Sequence, residues 1–231
     1  MTGDPEKCEF YNMKRGALIV IEGGERPNRT LQCKWQVERL IQRSFLPDDD
    51  LPPVVGMAFP NHSTKIGKAF SKFLQGSNES ADCFLHLLSS ANRWEKVAEI
   101  KASLEQGKHV IIDQYAFASV ASASAKDGMS LSWCRQPDRG LPKPDLVCFL
   151  EISPEKAQKC DKFGEERNGP PNTQAKIRQA YVELIDESYW RVIQTHLKSD
   201  DEVFNEISDA VDEVVQNPLV QPIPALWPLI E

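Results

Sequence analysis

The sequence has no apolar run approaching the roughly 18 residues that a membrane-spanning helix requires. It has no basic excess either: 27 Lys and Arg stand against 34 Asp and Glu, for a net charge of -7. Displacing the counterions of a polyanion needs a basic surface, so neither nucleic acid nor a membrane is the expected partner. A small phosphorylated ligand held by a few local arginines is compatible with this balance. No C-x-x-C pair occurs among the six cysteines, Cys8, Cys33, Cys83, Cys134, Cys148 and Cys160, and their wide spacing suggests neither a zinc site nor a disulfide framework. The opening MTGDPEKCEF is neither a signal peptide nor an Arg-rich transit sequence, which points to a reducing, cytoplasmic or nuclear location. Repeats and low-complexity tracts are absent, as is the base-reading N-K-x-D motif of GTPases.

What is present suits one α/β domain. The 231 residues are 41% hydrophobic, enough for a full core. Residues 1–15 read as a flexible leader and 16–231 as the domain. Continuous apolar runs at 17–21, 53–59, 109–113 and 146–150, with a shorter one at 190–193, read as strands buried on both faces. Between them lie helical patterns: one from Thr30, one over 63–76 with Ser63 as N-cap and Gly76 as stop, and one long helix or two abutting ones over 80–106. Others follow Tyr115, span 173–187 and span 201–215. This alternation predicts a parallel sheet of about five strands with helices on both faces, whose ligands bind beyond the carboxyl ends of the strands.

Three segments fall at that edge: the 22–30 loop, FPNHST at 59–64, and Asp113-Gln114-Tyr115. The first partly matches the phosphate-binding pattern G-x-x-x-x-G-K-[ST], in which loop amides and a lysine surround nucleotide phosphates. Gly23 fills the first position and Thr30 keeps the hydroxyl that would ligand Mg²⁺. Asn28 replaces the second glycine and can accept a positive φ. Arg29 replaces the lysine, and its planar guanidinium cannot occupy the compact point of an ammonium between two phosphates. Pro27 would donate no N–H to a phosphate.

Taken together, RGALIVIEG, FPNHSTKIGK, SSANRWE, IIDQYAF and GLPKPDLVCFLE resemble thymidylate kinase, a P-loop kinase that transfers the γ-phosphate of ATP to dTMP. The similarity runs from about Arg15 to Trp227. It implies the P-loop kinase fold, ATP and Mg²⁺ as cofactors and a short lid at about 160–171; a homodimer through the helices after residue 63 is expected where the chain serves as an interaction module. It implies that Gly23, Gly24, Asn28, Arg29 and Thr30 hold ATP, and that Thr30 and Asp113 hold the metal. Arg26, Arg29, Asp113 and the lid's Arg167 would act on the migrating charge. Glu25, Phe59, His62, Arg93, Gln114 and Tyr115 would face the monophosphate. Against the family's pattern, Gln114 stands for the arginine of D-R-[FY], His62 for that of F-P-x-R-[ST], Ser89 for a stacking aromatic, and Asn168 and Cys160 for an aromatic and a basic lid residue.

Structural roles compete with several of these. Arg29 can sit in the first turn of a solvent-facing helix, Asp113 can cap a helix, and Arg93 can pack its stem and pair with an acid. Phe59 can be a strand-end core residue, Trp94 is expected in the core, and the lid can be a solvated loop. Two functions follow: a dTMP kinase of weak activity, or an inactive thymidylate-kinase-like binding or interaction module.

Overall fold

The computed structural model describes residues 14–23, 26–45, 52–75, 82–152, 171–217 and 219–228, apart from the side chains of residues 26, 27, 171, 172 and 174. The lid, with Arg167, and most of the leader lie outside them, as do Gly24 and Glu25.

Strand β2 (Leu18–Gly23) is buried along nearly its whole length, and its neighbours β4 (His109–Asp113) and β5 (Leu146–Glu151) are almost as dry. Strands β3 (Val54–Ala58) and β6 (Trp190–Gln194) form the edges, giving the all-parallel order β3-β4-β2-β5-β6. Because a strand's side chains alternate, Leu18 and Val20 enter one core and Ile19 and Ile21 the other. Each such fully buried aliphatic side chain contributes about 1.5–3 kcal/mol.

The first core lies under α4 (Val97–Glu105), α5 (Ala116–Ser124) and α7 (Pro171–Leu184), with Phe117, Phe149, Tyr181 and Trp190 as its aromatic filling. The small residues of α5 allow that close packing. The second lies under α1 (Arg26–Arg43) and α8 (Asp200–Val215), which Ser199 and Glu202 start with a reciprocal capping box. Polar side chains zip these two helices: Gln32 donates to the Asp200 carbonyl, Gln36 to Ser208, and Arg39 to Asp212. Helices α2 (Lys65–Gln75) and α3 (Asp82–Trp94) pack on each other at the β3 side, and a single turn, α6 (Leu131–Arg135), follows α5.

The expected five strands and their order along the chain are present, and the 80–106 segment is two helices rather than one. Three expectations need correction. Helix α1 starts at Arg26, not Thr30, so Pro27 and Asn28 lie in its first turn, where a missing N–H costs no intrahelical bond. Helix α2 is capped by Thr64, whose hydroxyl accepts from Gly67 N–H at 3.0 Å, while Ser63 turns back to Asn61. Trp94 is 41% exposed, with its indole N–H donating to the Pro137 carbonyl. Unforeseen from the sequence is a two-stranded antiparallel ribbon of β1 (Lys14–Arg15) and β7 (Leu219–Val220).

Candidate functional site

Strand register brings the three expected loops together. Ile21 and Ala58 both stand level with Asp113, Gln114 N–H bonds to the Ile21 carbonyl, and Phe59 N–H bonds to the Asp113 carbonyl. Beside them a cleft of about 560 Å³ opens between α1 and β3, with Thr30, Asp113, Asn61 and His62 among its walls.

Gly23 ends β2 at φ +70°, and a Cβ there would lie 2.5 Å from the Phe149 ring. Only glycine meets both demands at little cost. Its carbonyl accepts from one Arg29 nitrogen at 3.0 Å. The same guanidinium donates Nε–H to Asp113 at 2.6 Å and a third N–H to the Gln114 side chain at 2.9 Å. Thr30 donates its hydroxyl to the other Asp113 oxygen at 2.7 Å. The two residues that depart from the family's cations, Arg29 and Gln114, therefore touch. Gln114 holds φ +65°, a conformation that costs a non-glycine residue about 1–3 kcal/mol unless its surroundings fix it.

Neither structural alternative for Asp113 and Arg29 is adopted. Asp113 caps nothing, since the N-cap of α5 is Tyr115 with no side-chain bond. Arg29 is buried, not solvent-facing. The expected metal pair, Thr30 and Asp113, does not fit a divalent ion as arranged. Each carboxylate oxygen already accepts one hydrogen bond, and a dication about 4 Å from the guanidinium would meet roughly 8 kcal/mol of repulsion at an effective dielectric near 20. Among the described residues no cluster of three or more His, Cys, Asp or Glu could hold a metal. Burial, aided by the Asp113 charge, pushes the Cys33 thiol on the cleft wall up to about 12 and so disfavours its thiolate.

The remaining candidates scatter. Asn28 is helical, not at positive φ, and bonds to Asp200 of α8 at 3.1 Å, away from the Arg29 cluster. Arg93 was expected to read a base or phosphate, but it is 1% exposed and all five of its N–H groups are taken. Two go to Asp138, and one each to Ser89, Ser119 and the Tyr115 carbonyl. The acid-pairing alternative is the one adopted. Tyr115 is likewise core: its hydroxyl faces the Pro142 carbonyl and burial raises its pKa. Phe59 packs on Tyr115 with ring centroids 6.0 Å apart and is buried, as its core alternative had it. His62 stays at the cleft, its Nδ1 paired with Ser71 at 2.7 Å. Arg26 opens α1 by its backbone, and its side chain is outside the described set.

Three positioning residues escaped the sequence reading. Glu22, fully buried, accepts from Tyr115 N–H at 2.8 Å, and burial raises its carboxyl pKa against the opposing pull of that bond and of Arg29 and Arg93. Asn92 accepts from Asn61 N–H and donates to Thr64, fixing the 59–64 loop to α3. Asp138 neutralises Arg93. Glu22 and Asn92 lie inside RGALIVIEG and SSANRWE, and the polarity of Glu22 at the end of an apolar run was the available signal.

Comparison with known proteins agrees with this fold. The thymidylate kinase family model matches residues 21–207. The thymidylate kinases of Danio rerio and Homo sapiens are 39% and 37% identical to this chain over 216 residues, which is 93% of it and 98% of each relative. The solved thymidylate kinase of Candida albicans superposes with a TM-score of 0.76 at 29% identity, covering 92% of this chain and 98% of its own. With five parallel strands in P-loop kinase order and a family match across most of its length, the chain belongs to the thymidylate kinase family.

Proposed function

We propose that this chain transfers the γ-phosphoryl group of ATP to dTMP, giving ADP and dTDP, at a rate well below that of a relative with the full set of site cations. The observation that supports it most is the meeting of Gly23, Arg29, Thr30 and Gln114 around Asp113 at the carboxyl edge of the sheet. Phosphoryl transfer is catalysed mostly by positioning and electrostatic stabilisation. The amino end of α1 supplies backbone N–H groups and a favourable dipole to an anion. Arg29 supplies the charge, and the 59–64 loop, held by Asn92, borders the cleft for the monophosphate. Arg26 and Arg167 belong to the same proposal as further cations.

The rate is low because Gln114 is neutral and Arg29 is bound to Asp113. Each lost charge-assisted bond removes about 1.5–3 kcal/mol, roughly tenfold to a few hundredfold in binding or rate. That closed cluster also favours a second reading, a non-catalytic module that binds nucleotide or a protein. Phe84, Leu87 and Trp94, exposed on α3, support self-association through this face, which sedimentation of the purified chain measures.

Separate calorimetric titrations with dTMP and ATP, followed by a coupled turnover assay, test the reading. We expect dTMP to bind and turnover to fall below the usual kinase range of roughly 1–100 s⁻¹. No dTMP binding would leave the module reading in its place.

A further inference from the structure

We propose that Asp113 is the counter-ion of Arg29 rather than a metal ligand, and that nucleotide phosphates bind here on the guanidinium, without a divalent ion held by protein groups. The inference rests on the reading of the chain as a nucleotide binder.

The geometry carries it in three steps. Asp113 accepts from Arg29 at 2.6 Å through one oxygen and from Thr30 at 2.7 Å through the other, so the acid and the hydroxyl expected around a cation face each other and an internal cation. The guanidinium is fixed from two more sides by the Gly23 carbonyl and the Gln114 side chain, which hold it at the base of the loop rather than swung into solvent. Among the described residues no cluster of three or more His, Cys, Asp or Glu stands here to hold a metal in their place. Arg29 therefore already supplies Asp113 with the positive charge that a metal would bring.

A reversed sign follows. Where Asp113 holds a metal, its loss weakens nucleotide binding. Where Asp113 competes with phosphate for Arg29, its loss removes the negative charge that holds the Nε–H of a buried cation and tightens binding.

The experiment is ATP calorimetry on the full chain and on Asp113→Asn, Arg29→Gln and Arg29→Lys, each in excess Mg²⁺ and in EDTA. Inorganic tripolyphosphate serves as a base-free probe, and melting curves confirm folding. We expect the unaltered chain to bind ATP with affinities within about threefold in the two buffers. Asp113→Asn should bind about tenfold tighter in EDTA, and Arg29→Gln should lose binding. Arg29→Lys, the milder change, should retain binding and acquire a tenfold dependence on Mg²⁺, because a compact ammonium cannot reach the three acceptors spread around the guanidinium fork. The proposal is overturned if Mg²⁺ tightens binding to the unaltered chain tenfold or more and Asp113→Asn abolishes that gain. It is overturned equally if Asp113→Asn binds ATP and tripolyphosphate no tighter in EDTA, or binds neither. The dTMP titration decides the kinase reading separately. Metal-independent ATP binding without dTMP binding keeps this inference and removes the other, and dTMP turnover with a tenfold Mg²⁺ gain in ATP binding that Asp113→Asn abolishes does the reverse.

Discussion

Two arginine–aspartate pairs of the same 2.6 Å length, Arg93–Asp138 and Arg29–Asp113, sit in the same molecule and do different things. Arg93 is matched to both oxygens of Asp138 and closes its remaining N–H groups on three other acceptors, with side-chain exposures of 1% and 0%. Arg29 gives Asp113 one N–H, Thr30 takes the other oxygen, and Asp113, though not Arg29, lines the cleft. The chemistry of the pair does not decide its role. Saturation does: a guanidinium with every donor closed locks α3 to the 136–138 turn, whereas Arg29, with three of its five N–H groups bonded, can take a further acceptor.

Removing half of the saturated pair is expected to have the largest effect. Asp138→Asn leaves a buried guanidinium uncompensated and should lower unfolding free energy by about 3–5 kcal/mol, read from urea melts. A loss under about 1 kcal/mol would erase the distinction between the pairs.

Acid sharpens the comparison next. His109 Nδ1 accepts from Ala17 N–H at 3.0 Å, and burial lowers the imidazole pKa to about 4. A depressed histidine binds fewer protons folded than unfolded, so its contribution is full above the unfolded value near 6.5 and is lost as pH falls toward 4. The expected loss is on the order of 3 kcal/mol across that window. Glu22, raised by burial, acts oppositely: its contribution is full at low pH and is lost as pH rises above the ordinary carboxylate range. Melts of His109→Asn against the unaltered chain from pH 7 to 4 isolate the histidine, and parallel curves would refute its role. The pairs are best compared above pH 7, where His109 is neutral.

Asp113→Asn should be milder than Asp138→Asn, about 1–2 kcal/mol, because the asparagine oxygen can still accept from Arg29 and the bonds to Gly23 and Gln114 remain. An equal loss in urea melts would place the two pairs in one class. The smallest effect belongs to an exposed control: Lys96→Ala removes its bond to Glu99 and should change stability by at most about 0.5 kcal/mol in the same melts.

The fold was legible because its signals are local. Buried parallel strands such as HVIID read as unbroken apolar runs, and the loops between them fixed which ends gather. The site was legible as a place but not as a set of contacts. That Arg29 and Gln114 touch depends on β2 and β4 being neighbours in register, a fact no window of sequence contains. Arg93 and Tyr115 looked like ligand groups because motif positions do not reveal burial. Asp138, lying 45 residues from Arg93, had no signal before the fold was known. The start of α1 differs for another reason: the phosphate-loop pattern extends the loop to Thr30, whereas the helix begins at Arg26 and tolerates Pro27 in its first turn.

The ribbon of β1 and β7 bears on the order in which the molecule assembles. Arg15 reaches across 205 positions to the Val220 carbonyl and grips Asp145 at the foot of β5 with two further bonds. Closing a loop of that length in an open chain costs about 5 kcal/mol of entropy beyond a constant, far more than four short-strand residues return. The clasp is therefore a late event, formed when the sheet has already carried both segments to one edge. Its amides report that last step, and they should exchange with solvent at the rate of local opening while β2 exchanges only with global unfolding.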